Sequence, residues 1–370
     1  MVKYPIHSPI IDELEISSVT DAVKSGWISS QGGNVKKFES SLLEFICPSS
    51  KHHTAVSVTN GTHALELGLR TLGLPPDSEV IVPNLTFGAS VNSIIAVGAR
   101  PKFVDVDPLT WMPDIKLIDD AISAKTSAIM VVHLYGKHNA LSDYYDSWRQ
   151  KGIRIIEDCA EAFGSYFENS FVGVDADVAA FSFFANKTIT TGEGGLLLVN
   201  QRHANAELAT TIRDHGMSKD TRYWHVEIGS NYRMTNLQAA IGLSQLKKAT
   251  HIITRKKQLN DQYRRLLKDI CIFQDNAPLT NNCTWLNAIK FKDNLDLDKL
   301  SKYLQTYGIE TRRIFSPMSN QPAFLNFTDD RQFQNSQEIY QSGICLPSSP
   351  WMTEEHVEEI AFRLHEICLM

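Results

Sequence analysis

A chain of 370 residues, 43% of them hydrophobic and 21% charged, can bury a sizeable core and has length for two domains. Its net charge of −6, with both signs interspersed, excludes a dedicated nucleic-acid or anionic-membrane surface. Six cysteines without a CxxC pair fit reduced thiols better than a disulfide framework or a zinc site, and no metal is implied.

The opening MVKYPIHSPIIDELEISSV lacks the apolar centre of a signal peptide. No apolar run is long enough to span a bilayer, so a soluble, cytoplasmic protein is expected. Residues 1–50 are mixed. Ser25 to Asn34 form a flexible Ser/Gly stretch whose Trp27 reads as a core anchor rather than a group reaching a neighbouring active site. An amphipathic helix follows, with Phe38, Leu42, Phe45 and Ile46 on one face.

From residue 54 strands and helices alternate. Strand-like runs lie at Thr54–Val58, Glu79–Val82, Lys102–Val106, Ser127–His133, Ile153–Glu157, Val178–Phe184 and Leu196–Val199. Helical patterns lie at Ala64–Leu72, Ala89–Val97, Ile115–Ile122 and Ser142–Gln150. The alternation predicts a largely parallel sheet between helix layers, with ligands at the carboxyl ends of its strands.

Those ends carry the chemistry. Thr59, Asn60, Gly61 and Thr62 open a helix and form either a phosphate seat or a plain N-cap. Phe87 ends the second strand; alone it reads as core, although an aromatic there could stack on a flat ring. Asp158 ends an apolar strand, where a carboxylate needs a cationic partner, either a neighbouring Arg or a pyridinium N–H. Glu161 falls on the same side if a helix starts here.

The stretch DVAAFSFFANKTITTGEGGLLLVN holds two apolar runs that need cover on both faces. Between them stands Lys187, either a surface lysine in a hairpin loop or a desolvated amine able to form a Schiff base. One cofactor would satisfy the lysine, the aspartate and the phosphate seat together. Further on, His215, Arg222, Tyr223, Trp224 and His225 crowd a polar loop that suits a nucleotide diphosphate or a solvated linker equally. A long amphipathic helix beginning near residue 250 leads to a strand, Leu286–Phe291, and a helix, Leu297–Tyr307. Arg312 and Arg313 then offer guanidinium groups to a phosphate or carboxylate.

The segments VTNGTHALELGL, EVIVPNLTFGASVNSI, GARPKFVDVDPLTW, VVHLYG, IEDCAEAFGS, FSFFANKTITTGEGG and IGSNYRMTNLQAAIGLSQL resemble the DegT/DnrJ/EryC1/StrS family of sugar aminotransferases. The resemblance runs in family order from about residue 5 to beyond Arg313. Within the family, the NKTITTGEGG form and the YWH…GSNYRM segment look most like members that aminate carbon 4 of a nucleotide-linked 4-keto-6-deoxyhexose. A GDP-linked sugar is favoured over a dTDP- or UDP-linked one, and a non-catalytic ligand-binding member of the fold is the rival from another class.

The resemblance implies an α/β, aspartate-aminotransferase-like (type I) fold that uses pyridoxal phosphate. It implies a mostly parallel seven-stranded sheet in a large domain, residues 1–248, and a smaller α+β domain, residues 249–370. Lys187 would bind the cofactor covalently and shuttle the proton. Asp158 would pair with the pyridine nitrogen, Phe87 would stack on the ring, and Glu161 would lie near the ring hydroxyl. Gly61, Thr62 and Ser182 would hold the phosphate, and Asn231 would reach the phosphate of a second subunit in a homodimer with shared active sites. His215, Tyr223, Trp224 and Arg313 are the substrate-binding candidates, with L-glutamate as amino donor. Related dehydratases carry histidine in place of the lysine, so Lys187 favours transamination. The family often has a histidine in the stretch matching SPMSNQPAF; Ser319 stands nearby instead, a departure that bears on sugar or nucleotide preference rather than on the cofactor.

Overall fold

The computed structural model describes residues 2–48, 50–329 and 331–368. Helix α1 (Glu13–Lys24) starts at a capping box: Asp12 accepts the Leu14 N–H and Glu15 takes the Asp12 N–H, both at 2.9 Å. Helix α2 (Gly33–Ile46) buries Phe38, Leu42 and Ile46, as its apolar face requires. The alternating region then runs β1 (His53–Val58), α3 (Gly61–Leu72), β2 (Glu79–Pro83), α4 (Gly88–Ala96), β3 (Arg100–Val104), α5 (Ile115–Ala121) and β4 (Thr126–Val132). It continues with α6 (Tyr145–Gln150), β5 (Arg154–Asp158), the short hairpin β6 (Tyr166–Phe167) and β7 (Ser170–Phe171), β8 (Val178–Ser182) and β9 (Gly195–Asn200).

Seven of these strands form one sheet in the order β1-β9-β8-β5-β4-β2-β3. β5 pairs in parallel with β4 and β8, and β2 with β3 and β4, while β9 runs against both its neighbours. Both faces are covered, which explains the near-continuous apolar runs. On β8, Val178 and Ala180 pack in the core that holds residues of α3, α4 and α7 (Ala206–Arg213), while Ala179 and Phe181 pack with α2 on the other face. The strand expected at Lys102–Val106 sits two residues earlier, and Val106 stays buried beyond its end.

Helix α8 (Asn236–Leu267) starts at a second capping box, Thr235 with Gln238, and leaves the sheet for a second core. There β10 (Cys271–Phe273), β12 (Asn287–Phe291), β13 (Arg312–Arg313) and β14 (Gly343–Leu346) make an antiparallel sheet in the order β10-β12-β14-β13. Helices α9 (Leu297–Thr306) and α11 (Glu354–Cys368) pack into that core, and α10 (Gln334–Ser342) leads into β14. The remaining strand, β11 (Thr280–Asn281), pairs with β6. Tyr4 is buried in the same core and bridges to Ile309, so the first described residues pack on the C-terminal sheet.

Trp27 is 58% exposed, which corrects the core-anchor expectation. Its carbonyl, not its ring, is engaged, accepting from the Asn236 side chain at 2.6 Å. No helix among the described residues is long and apolar enough to cross a membrane.

Candidate active site

Because β9 turns back beside β8, residues 183–194 form a loop tied at both ends. The Phe183 N–H donates to the Gly194 carbonyl at 2.8 Å, and the Thr191 N–H to the Phe183 carbonyl at 2.9 Å. The Thr191 hydroxyl donates to the Glu193 carbonyl at 2.7 Å, so the Thr/Gly-rich composition is spent on internal bonding. Lys187 projects from this loop into a cavity of about 460 Å³ at the carboxyl ends of β1, β2, β4, β5 and β8.

Gly61, Thr62, Phe87, Asp158, Glu161, Ser182 and Lys187 all line that cavity. Asp158 is fully embedded: the Ser90 hydroxyl of α4 donates to it at 2.7 Å and the Ala160 N–H at 3.1 Å. Burial pushes its carboxyl above the usual range, against those two donors and the nearby Lys187. Among the described residues no arginine pairs with it, so the Arg-paired cap is not what holds it.

The Glu161 carboxylate lies 3.6 Å from the Lys187 amine and accepts the Tyr135 N–H at 2.7 Å. Tyr135 is held in the left-handed region at φ 53°, a strained setting for a bulky residue. Burial raises the Glu161 carboxyl to about 7 although Lys187 favours its charge. Burial likewise lowers the Lys187 amine, against Glu161 and Asp158. No helix begins after Asp158; Glu161 reaches the cavity from an irregular turn, contrary to the helical expectation.

At the start of α3 the Asn60 side chain accepts the His63 N–H at 2.8 Å, leaving the Gly61 and Thr62 N–H groups without helical partners. A Cβ at Gly61 would stand 2.7 Å from the Ser182 Cβ, so only glycine lets the helix end and β8 approach. Phe87 is 59% exposed, which overturns its reading as core; its ring tilts against Phe315 at 5.6 Å.

The other candidates stand apart from the cavity lining. Tyr223 and Trp224 are largely exposed, Asn231 is exposed beside Arg233, and half-buried His215 also meets Arg233. Arg313 turns toward Tyr340 and Asp298, whereas Arg312 lines the cavity.

Two contributors escaped sequence reasoning. Ser90 is 68 positions from the carboxylate it serves, and only its place one turn after Thr86, whose hydroxyl it also meets, hinted at use. Trp285 lines the cavity with its ring centroid 3.6 Å from the Lys187 amine; a lone tryptophan before a strand gives no sequence signal. Behind the site, buried His133 and Tyr145 both bond to Glu157 at 2.8 Å, while the His133 N–H holds the Asp158 carbonyl at 3.1 Å, fixing the end of β5.

The sequence pattern of the DegT/DnrJ/EryC1/StrS aminotransferase family matches residues 9–365. A GDP-perosamine synthase of Escherichia coli O157:H7 is 37% identical over 99% of each chain. One from Vibrio cholerae is 36% identical over 96% of each. A putative sugar aminotransferase of Streptococcus pneumoniae, solved in its PMP form, superposes with a TM-score of 0.90 at 27% identity, covering 98% of both chains.

Proposed function

Because the chain belongs to the DegT/DnrJ/EryC1/StrS family, and so is a pyridoxal phosphate-dependent sugar aminotransferase, we propose that it moves an amino group from L-glutamate to carbon 4 of GDP-4-keto-6-deoxymannose, giving GDP-perosamine. The relatives named GDP-perosamine synthase support that substrate. The observation that carries the chemistry is one amine and one buried carboxylate, Lys187 on the loop after β8 and Asp158 at the end of β5, facing a single cavity.

The lining fits the cofactor. A helix end kept bare by Gly61, beside Ser182, suits a phosphate, and Phe87 offers an uncommitted aromatic face. Pyridoxal phosphate supplies an electron sink for the carbon losing its proton. Lys187 would hold the cofactor, take the α-proton from the donor as general base, and return a proton to the sugar carbon as general acid. Asp158, kept in place by Ser90, would serve the ring nitrogen and Glu161 the ring hydroxyl. Arg312, on the cavity wall, is placed for an anionic group of a substrate.

Asn231, Tyr223 and Trp224 serve the site of a second copy in a homodimer, consistent with their exposure in the single chain, and half-buried His215 lies on the same loop. The protein works in the cytoplasm, supplying a sugar for surface glycans. Residues 1–248 form the cofactor-holding part and 249–370 the smaller part, with the seam inside α8 and with Tyr4 crossing over to the core of the smaller part.

Borohydride reduction of the loaded protein, followed by peptide mapping, is expected to fix the cofactor on Lys187. Lys187→Ala is expected to lose turnover by about 10²–10⁴-fold. Side-by-side assay with GDP-, dTDP- and UDP-linked keto-sugars tests the nucleotide, and turnover confined to the dTDP or UDP sugar overturns the GDP reading.

A further inference from the structure

We propose that Trp285 is a positioning residue for Lys187, its indole face seating the amine once it has taken up a proton and is not bonded to the cofactor. The inference rests on the catalytic reading of Lys187 given above. The amine lies 3.6 Å from the ring centroid, well inside the range in which an aromatic face attracts a cation. Trp285 is 4% exposed, so water does not compete for that face.

The ring is fixed relative to the lysine. Its Nε1–H donates to the Asn186 carbonyl at 2.6 Å, one residue before Lys187, and its backbone N–H donates to the Tyr135 carbonyl at 2.9 Å. Tyr135 stacks near-parallel on the indole at 6.4 Å and gives its own N–H to Glu161 at 2.7 Å. The indole and the carboxylate are therefore set by the same tyrosine, and the amine reaches both.

The two seats differ chemically. Glu161 can take a proton from the ammonium; an indole face stabilises the charge but has no basic lone pair to receive one. A lysine that has just removed a proton from carbon keeps that proton when it rests on the ring. It can then deliver it to the next carbon rather than lose it to a carboxylate. The charged and titratable groups facing this amine are Asp158 at the end of β5, Glu161 from the turn after it and His7 from the N-terminal segment, with Arg312 on the same cavity wall.

The test is the pH dependence of Lys187 acetylation by acetic anhydride, read by peptide mass spectrometry on the full chain, both cofactor-free and loaded with pyridoxamine phosphate. In Trp285→Leu the labelling midpoint is expected to fall by on the order of one pH unit, because the ammonium loses its seat. Trp285→Phe keeps a face without the N–H and is expected to retain most of the wild-type midpoint. Trp285→Met, which fills the space without a π face, carries the leucine expectation where the leucine variant does not fold. A wild-type midpoint in the leucine or methionine variant overturns the proposal, as does an equal fall in the phenylalanine variant. Failure of borohydride to fix cofactor on Lys187 overturns the functional reading instead, and the cofactor-free comparison still decides the role of Trp285.

Discussion

At the scale of single residues, burial opposes charge on both members of the central pair. Glu161, raised to about 7, holds its proton in the folded chain after an unfolded glutamate, near 4.3, has released its own. Stability from this group is thus full below the unfolded value and is lost as pH rises through about 7, by up to about 4 kcal/mol. Glu161→Gln cannot titrate, so the cofactor-free variant is expected to show a shallower fall in Tm across that window than the parent. Equal slopes would count against the raised carboxyl. Lys187 and Asp158 are legible because a cation just past one apolar strand and a carboxylate at the end of another stand where the backbone pattern alone puts a ligand. Their supports are not: Ser90 and Trp285 reach them through folding, from positions whose local sequence is ordinary.

Among elements, the start of α3 and the start of β9 meet backbone to backbone. A Cβ at Gly195 would stand 2.5 Å from the Asn60 carbonyl carbon and 2.9 Å from the Gly61 nitrogen, neither of which a side chain can rotate away from. Gly195→Ala is expected to cost about 1–3 kcal/mol in denaturant unfolding and to weaken cofactor binding, since it pushes on the phosphate seat. All seven strands of the main sheet were legible from their apolar runs. β3 lies two residues before its apolar run because Val104 and Val106 are both buried and only the first is in the ladder. Helix α1 was missed because its inner face is thin, with Glu15 and Ala22 its buried residues, although Asp12 and Glu15 spell a capping box.

For the molecule as a whole, one surface stands out. Ile228 is 87% exposed, Tyr223 72% and Trp224 65%, all on the loop between α7 and α8. Apolar groups gathered on a loop this way mark a contact surface, in keeping with the proposed dimer. Ile228→Glu is expected to halve the mass seen by light scattering and to lose activity with it; an unchanged mass would argue that the loop faces solvent. Helix α8 has a different bearing on the whole. Its 32 residues make a rod about 48 Å long, with Ala249 and Ile252 sunk in one core and Leu259, Tyr263 and Leu267 in the other. A rod shared in this way couples the two cores, so calorimetry is expected to show one cooperative transition in which the cavity lined by Trp285 is lost together with both of them.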